Sequence, residues 1–122
     1  MFPAPRVPLP RPVSALLPAF GFALALAVSP AGAEEEPTFR IEFRDGVISP
    51  SRIVVPANTR IRFELINRGT TPAEFESTEL RKEKVLAPGS ESVMVIRRLD
   101  PGEYTFFDDF HLDHPPAKVV AE

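Results

Sequence analysis

Cysteine is absent from all 122 residues. No disulfide can form, no thiolate can ligate a metal or act as a nucleophile, and no N-terminal Cys is available for lipid attachment. Tryptophan is absent too. There is no surplus of basic charge: 14 Lys and Arg face 17 Asp and Glu, a formal net charge of −3. A nucleic-acid binder would show the reverse balance. Ser77, Ser90 and Ser92 lack a nucleophile-elbow context, and no Gly-rich phosphate loop is present. What remains, 43% hydrophobic and 25% charged, is the composition of a folded chain rather than a disordered one. The length allows one small domain.

Proline is abundant, and its distribution is uneven. Seven of the 15 prolines fall in the first 33 residues, where Arg6 and Arg11 are the only charges. From Val13 to Val28 the chain is apolar apart from Ser14 and Pro18, and Ala31-Gly32-Ala33 then meets Glu34-Glu35-Glu36. A positive start, an apolar run and a small-x-small exit describe a secretory signal peptide, residues 1–33, cleaved after Ala33. The run is shorter than the ~20 residues a spanning helix needs. An uncleaved membrane anchor is the competing reading. Cleavage would leave residues 34–122, 89 residues with 12 bases and 17 acids, and a net charge of −5. Such a domain has no disulfide to help it, so packing must hold it, with a bound metal as the available supplement.

Beyond Pro37 the period is two almost throughout. Phe39, Ile41 and Phe43 alternate with Arg40, Glu42 and Arg44, and Ile61, Phe63 and Leu65 alternate with Arg60, Arg62 and Glu64. These are half-buried strands. Arg52–Val55, Glu83–Leu86, Tyr104–Asp108 and Lys118–Ala121 read as further strands, separated by Asp45-Gly46, Pro56-Ala57-Asn58, Pro88-Gly89 and Asp100-Pro101-Gly102 turns. Glu91–Arg97 is apolar on both faces and is expected to be covered on both. Ser77–Lys84 is the one stretch that could make a helical turn, capped by Ser77 or Thr78. Seven or eight short strands with Pro and Gly turns predict an all-β Greek-key sandwich or barrel.

The segment from Asp100 to His111, Asp-Pro-Gly-Glu-Tyr-Thr-Phe-Phe-Asp-Asp-Phe-His, resembles the metal loop of cupredoxins. There a Pro-Gly turn leads into Gly-x-Tyr-x-Phe-x-Cys-x-x-His. Gly102, Tyr104, Phe106 and His111 match this frame, and Asp108 falls where the family has its Cys. Val55 to Asn67 resembles the strand that ends in Asn before the family's first ligand loop, and Pro72–Ser77 falls where a typical cupredoxin places its first His. The Glu-Phe-Glu-Ser and Phe-Phe-Asp-Asp-Phe-His segments are similar, more narrowly, to the EfeO-type cupredoxin-like domain of bacterial iron uptake. That resemblance implies a periplasmic protein that assists iron or copper uptake, with a membrane metal transporter of the iron permease type as partner. The helical second domain of EfeO is not in this sequence. Without Cys, and with no Met near His114-Pro115-Pro116 to serve as axial ligand, the resemblance does not extend to type 1 copper.

Tyr104, Phe106 and Asp108 share one strand face, so Asp108 is a carboxylate aimed at the core end of the sandwich. Its burial demands compensation from a metal, a backbone amide pair or a basic side chain. Glu74 and Glu76 share a face, with Phe75 on the other. The only two histidines, His111 and His114, lie within six residues of Asp108, with Asp109 and Asp113 between or beside them. Glu74, Glu76, Asp108, Asp109, His111 and His114 are therefore the candidate metal ligands. Imidazole and carboxylate suit iron, copper(II), zinc or manganese, and the resemblance favours iron or copper(II). Taken singly, each residue has a plainer role: Glu74 and Glu76 as surface charges opposite Arg81 and Lys82, Asp108 and Asp109 as turn caps. Read together, Glu74, Asp108 and His111 are expected to reach one ion. A carboxylate pair could also serve acid–base catalysis, but a sandwich this small offers little volume for a substrate, so a binding protein is expected rather than an enzyme. A metal-free module that docks a partner through the same rim is the alternative.

Overall fold

The computed structural model describes residues 1–16, 18, 19, 21 and 36–122. Two compact units are distinguished, Met1–Ala33 and Glu34–Glu122. The described residues of the first unit carry neither helix nor strand, and no helix among the described residues is long and apolar enough to cross a membrane. Most of the apolar run and the whole Ala31–Ala33 exit lie outside the described residues.

The second unit is all-β among the described residues. Its nine strands are β1 (Thr38–Arg44), β2 (Val47–Ser49), β3 (Arg52–Val55), β4 (Ile61–Asn67), β5 (Ala73–Ser77), β6 (Lys82–Leu86), β7 (Glu91–Ile96), β8 (Gly102–Asp108) and β9 (Ala117–Ala121). They form two sheets, ordered β2-β1-β4-β7 and β3-β9-β8-β5-β6. The β1–β4 and β3–β9 pairs are parallel, and the other pairings are antiparallel. Alternation sorts the side chains. Ile41 and Phe43 of β1, Ile61, Phe63 and Leu65 of β4, Phe75 of β5, and Phe106 of β8 are fully buried between the sheets. Four rings run through the core: Phe39 meets Phe63 edge-on, Phe63 reaches Phe75 in the opposite sheet, and Phe75 stacks on Phe106 at 4.8 Å. Each fully buried ring contributes roughly 1.5–3 kcal/mol by leaving water. Tyr104, on the same face as Phe106, is half-buried and donates its hydroxyl to the Asp100 carbonyl.

Two expectations are corrected by this arrangement. Strand β7 is not covered on both faces: in a sandwich of two sheets only one face meets the opposite sheet, so Met94 and Ile96 are buried while Val93 stays 47% exposed. The Ser77–Lys84 stretch is not helical. Ser77 donates its hydroxyl to the Thr105 carbonyl (2.7 Å) and accepts the Leu80 amide (3.2 Å), which closes a single turn. Arg81 at φ +54° then reverses the chain into β6. Two short strands, β2 and β5, complete the sheets beyond those read from alternation alone. β2 has three residues, and β5 follows a loop that gives no periodic signal of its own.

Candidate metal centre

Three connections meet at one end of the sandwich: the β1–β2 turn, the loop from β4 to β5, and the segment from β8 to β9. The β1–β2 connection is the two-residue turn Asp45-Gly46, with φ of +45° and +94°. Positive φ at both positions matches the right-handed twist of the strands, and Asp-Gly suits it because Asp tolerates and Gly favours that region. The turn presents Asp45 Oδ1 to the β4–β5 loop, where it accepts the amides of Thr70 and Thr71 (both 3.0 Å) and the Thr71 hydroxyl (2.7 Å). These bonds, the Thr71 hydroxyl first, hold the Asp45 carboxyl below its ordinary pKa. Gly69 allows the approach, since a Cβ there would lie 2.7 Å from Asp45 Oδ1. Buried Asn67 shapes the loop from within, donating to the carbonyls of Thr71 and Leu86 and accepting the Gly69 amide.

Asp108 ends β8 opposite Phe75. Its side chain is 1% exposed and fully partnered. Oδ1 accepts the amides of Glu74 and Phe110, each at 3.0 Å, and Oδ2 lies 2.8 Å from His111 Nδ1. The compensation that burial demands comes from the protein itself: a backbone amide pair and an imidazole. A carboxylate partner places a hydrogen on Nδ1. His111 Nε2 is then the outward donor atom, 3.1 Å from Thr71 Oγ1. A niche of about 300 Å³ lined by Thr71, Pro72, Phe110 and His111 opens at this point. A second, of about 330 Å³, lies on the other flank of His111, with Phe107, Leu112, His114 and Pro116 among its walls. His114 meets the His111 ring edge-on, 6.0 Å between centroids, and rests over Gly46.

The six candidate ligands divide between two faces. Phe75 and Asp108 are direct cross-strand partners and point inward, so Glu74 and Glu76 point outward. Asp108 touches Glu74 through the Glu74 amide, not the carboxylate. Glu74 and Asp108 are not brought onto one face as ligands of one ion. Glu74 and Glu76 instead gather with Glu83, which faces Glu76 across β5–β6; their carboxylates offer oxygens within 4.8 Å of one another. Partial burial, reinforced by Asp109 and Glu83, raises the pKa of Glu74, and burial with Glu83 and Glu74 raises that of Glu76. Asp109 belongs to this acidic surface, its amide bonded to the Glu74 carbonyl. Asp108, His111 and His114 form the other group. Asp45, Thr71 and Glu83 are not singled out by the sequence: Asp45-Gly46 signals only a turn, and its contact with Thr71 spans 26 residues. A cleft of about 660 Å³ between Arg60, Lys82, Arg97, Arg98 and Tyr104 lies by the start of β8, whereas Asp108 ends that strand.

The donor set decides which metal chemistry the end of the sandwich suits. With no sulfur, a copper–thiolate centre cannot form. One aimed imidazole nitrogen among oxygen donors fits borderline to hard ions such as copper(II) or iron(III).

Residues 17–121 match the family model for the cupredoxin-like domain. An uncharacterized protein of Rickettsia prowazekii (strain Madrid E) is 36% identical over 81 residues, covering 66% of this chain and 65% of that protein. The chain thus spans about two thirds of the length of the curated relative it matches. Among solved structures, dithionite-reduced auracyanin from Roseiflexus castenholzii superposes with a TM-score of 0.60 at 13% identity, over 73% of this chain and 99% of that one. The metal-binding domain of the Cu(I)-exporting P-type ATPase CopA of Streptococcus pneumoniae D39, solved with Cu(I), gives 0.59 at 13% identity, over 70% and 84%. At such identities these likenesses establish the fold, and the family match does so independently. The chain belongs to the family of cupredoxin-like domains.

Proposed function

We propose that this chain is an exported, periplasmic metal-binding protein of the EfeO type that holds iron or copper(II) without a blue-copper centre and presents it to a membrane transporter of the iron permease kind. Its role is binding and delivery rather than catalysis. The observation that carries the reading is the Asp108–His111 pair. A buried carboxylate fixes one imidazole nitrogen, leaving the other as a donor at the edge of an open niche. Carboxylate–imidazole pairing of this sort orients a metal-ligating ring and raises its basicity. Asp108 is in this reading the residue that aims His111. His114, on the other flank of the His111 ring, is the further donor at this end, while Glu74, Glu76, Glu83 and Asp109 form a separate acidic surface. The copper-binding domain among the structural relatives supports a metal role on this fold.

A second reading, a metal-free module that docks a partner, draws support from a different observation. Asp108 is satisfied without any ion, and Phe110 and Leu112 stand 49% and 71% exposed around the same end. Metal content separates the two. Protein recovered from the periplasm should begin at Glu34 and carry iron or copper near one equivalent. Titration with Fe(III), Cu(II) and Zn(II) should show saturable binding that His111→Gln removes. Full-length chain in the membrane fraction would refute cleavage after Ala33 in favour of an uncleaved anchor, and absence of binding to all three ions would leave the docking reading.

A further inference from the structure

With a neutral His111 ring, the contact between His111 and Thr71 is short of one hydrogen. Asp108 takes the hydrogen of His111 Nδ1 at 2.8 Å. Thr71 has a single hydroxyl hydrogen, and it points to Asp45 Oδ1 at 2.7 Å. The Thr71 oxygen therefore turns its lone pairs toward His111 Nε2, 3.1 Å away. With a neutral ring, two lone pairs face each other across this gap, and a cation beside them satisfies both; a proton on Nε2 or a water donating to both atoms is the competing way to fill it. Resting on the reading of His111 as a metal ligand, we propose that Thr71 Oγ1 is a second ligand atom for the same cation, and that Asp45 is the positioning residue that makes it one. The two donor atoms are close enough for bonds of about 2.0–2.2 Å to a single ion. Asp45 commits the Thr71 hydrogen, enriches its oxygen in negative charge, and supplies a fixed anion behind the site. The chemistry selected is a cation of borderline to hard character, taking one imidazole nitrogen and one hydroxyl oxygen. Three segments then contribute: the β1–β2 turn, the β4–β5 loop and the β8–β9 segment.

The test is Cu(II) alone, titrated into the full-length chain and followed by calorimetry and by the electron paramagnetic resonance spectrum of the bound ion. Thr71→Val should weaken binding by about 10–100-fold and change the spectrum, while Thr71→Ser, which restores the hydroxyl, should return affinity to within about threefold together with the native spectrum. Asp45→Asn should also weaken binding at least about tenfold and shift the spectrum, because its amide no longer holds the hydroxyl hydrogen as firmly. Native affinity and spectrum in Thr71→Val, with binding lost in His111→Gln, would overturn the Thr71 assignment and leave His111 standing. Native binding in His111→Gln, or none in the unaltered chain, would overturn both. Should Thr71→Val fail to fold, Asp45→Asn decides on the same two readouts, since Asn retains an acceptor for both loop amides.

Discussion

The ring of His114 occupies the space a side chain at Gly46 would need: a Cβ built on Gly46 lies 2.6 Å from His114 Nε2 and 2.7 Å from its Cγ. The turn glycine is thus required twice, by its φ of +94° and by the imidazole above it. Gly46→Ala should destabilise the domain by about 1–2 kcal/mol from the backbone alone. It should also displace the His114 ring, visible as a shift of its proton resonances. A variant with native melting and an unmoved His114 signal would show that the turn does not pack as described.

Phe106 is fully buried and stacked on Phe75. Phe106→Ala should cost about 3–5 kcal/mol, a large part of the 5–15 kcal/mol typical of a whole domain. Urea unfolding would measure the loss, and a change below about 1 kcal/mol would contradict the strand phase.

That phase was legible in the sequence because alternation writes it directly. Phe39, Ile41 and Phe43, or Tyr104, Phe106 and Asp108, can face only one way in a strand, and the turns between are marked by Pro, Gly and Asn. What alternation cannot show is which strands become neighbours. Glu91–Ile96 reads as apolar on both faces, and only the packing of the two sheets decides that Met94 and Ile96 turn inward and Val93 outward. The site was legible in part for the same reason. Inward Asp108 and nearby His111 follow from local spacing. The separation of Glu74 from Asp108 depends on the β5–β8 register, and the Asp45–Thr71 contact depends on a hairpin docking against a loop 26 residues away.

Asp108→Asn would be neutral or stabilising if the carboxylate were buried without partners. Its three hydrogen bonds reverse that expectation. An Asn amide group must face either two amide hydrogens or the His111 Nδ1–H, so the variant should lose about 1–3 kcal/mol without any metal. Equal or higher stability in metal-free thermal melts would contradict the hydrogen-bond pattern.

Acid should act on the two faces with opposite signs. The pKa of Asp45 is lowered in the fold, chiefly by the Thr71 hydroxyl, so its stabilisation is complete above the ordinary Asp value and is lost as pH falls through the lowered one. The pKa values of Glu74 and Glu76 are raised by burial and then by neighbouring carboxylates. Their charges weaken the fold at neutral pH, and stability returns as pH falls from the raised values toward the ordinary Glu value. Glu76→Gln should therefore melt higher than the parent at neutral pH, an advantage that disappears on acidification through that window. Asp45→Asn should melt lower at neutral pH, and its deficit should close only at more acidic pH, below the ordinary Asp value. Melting curves that shift in parallel at every pH would show that neither group is linked to folding.

The most direct test of the metal-centre account is a Cu(II) titration of the isotope-labelled chain followed by its two histidine ring signals. The paramagnetic ion erases resonances close to where it binds. The account predicts that the His111 ring signals vanish first, with His114, 6.0 Å away between centroids, close behind, and that both are gone by one equivalent. Persistence of the His111 signals past one equivalent, with loss confined to the Glu74, Glu76 and Glu83 surface or spread evenly over the chain, would contradict it.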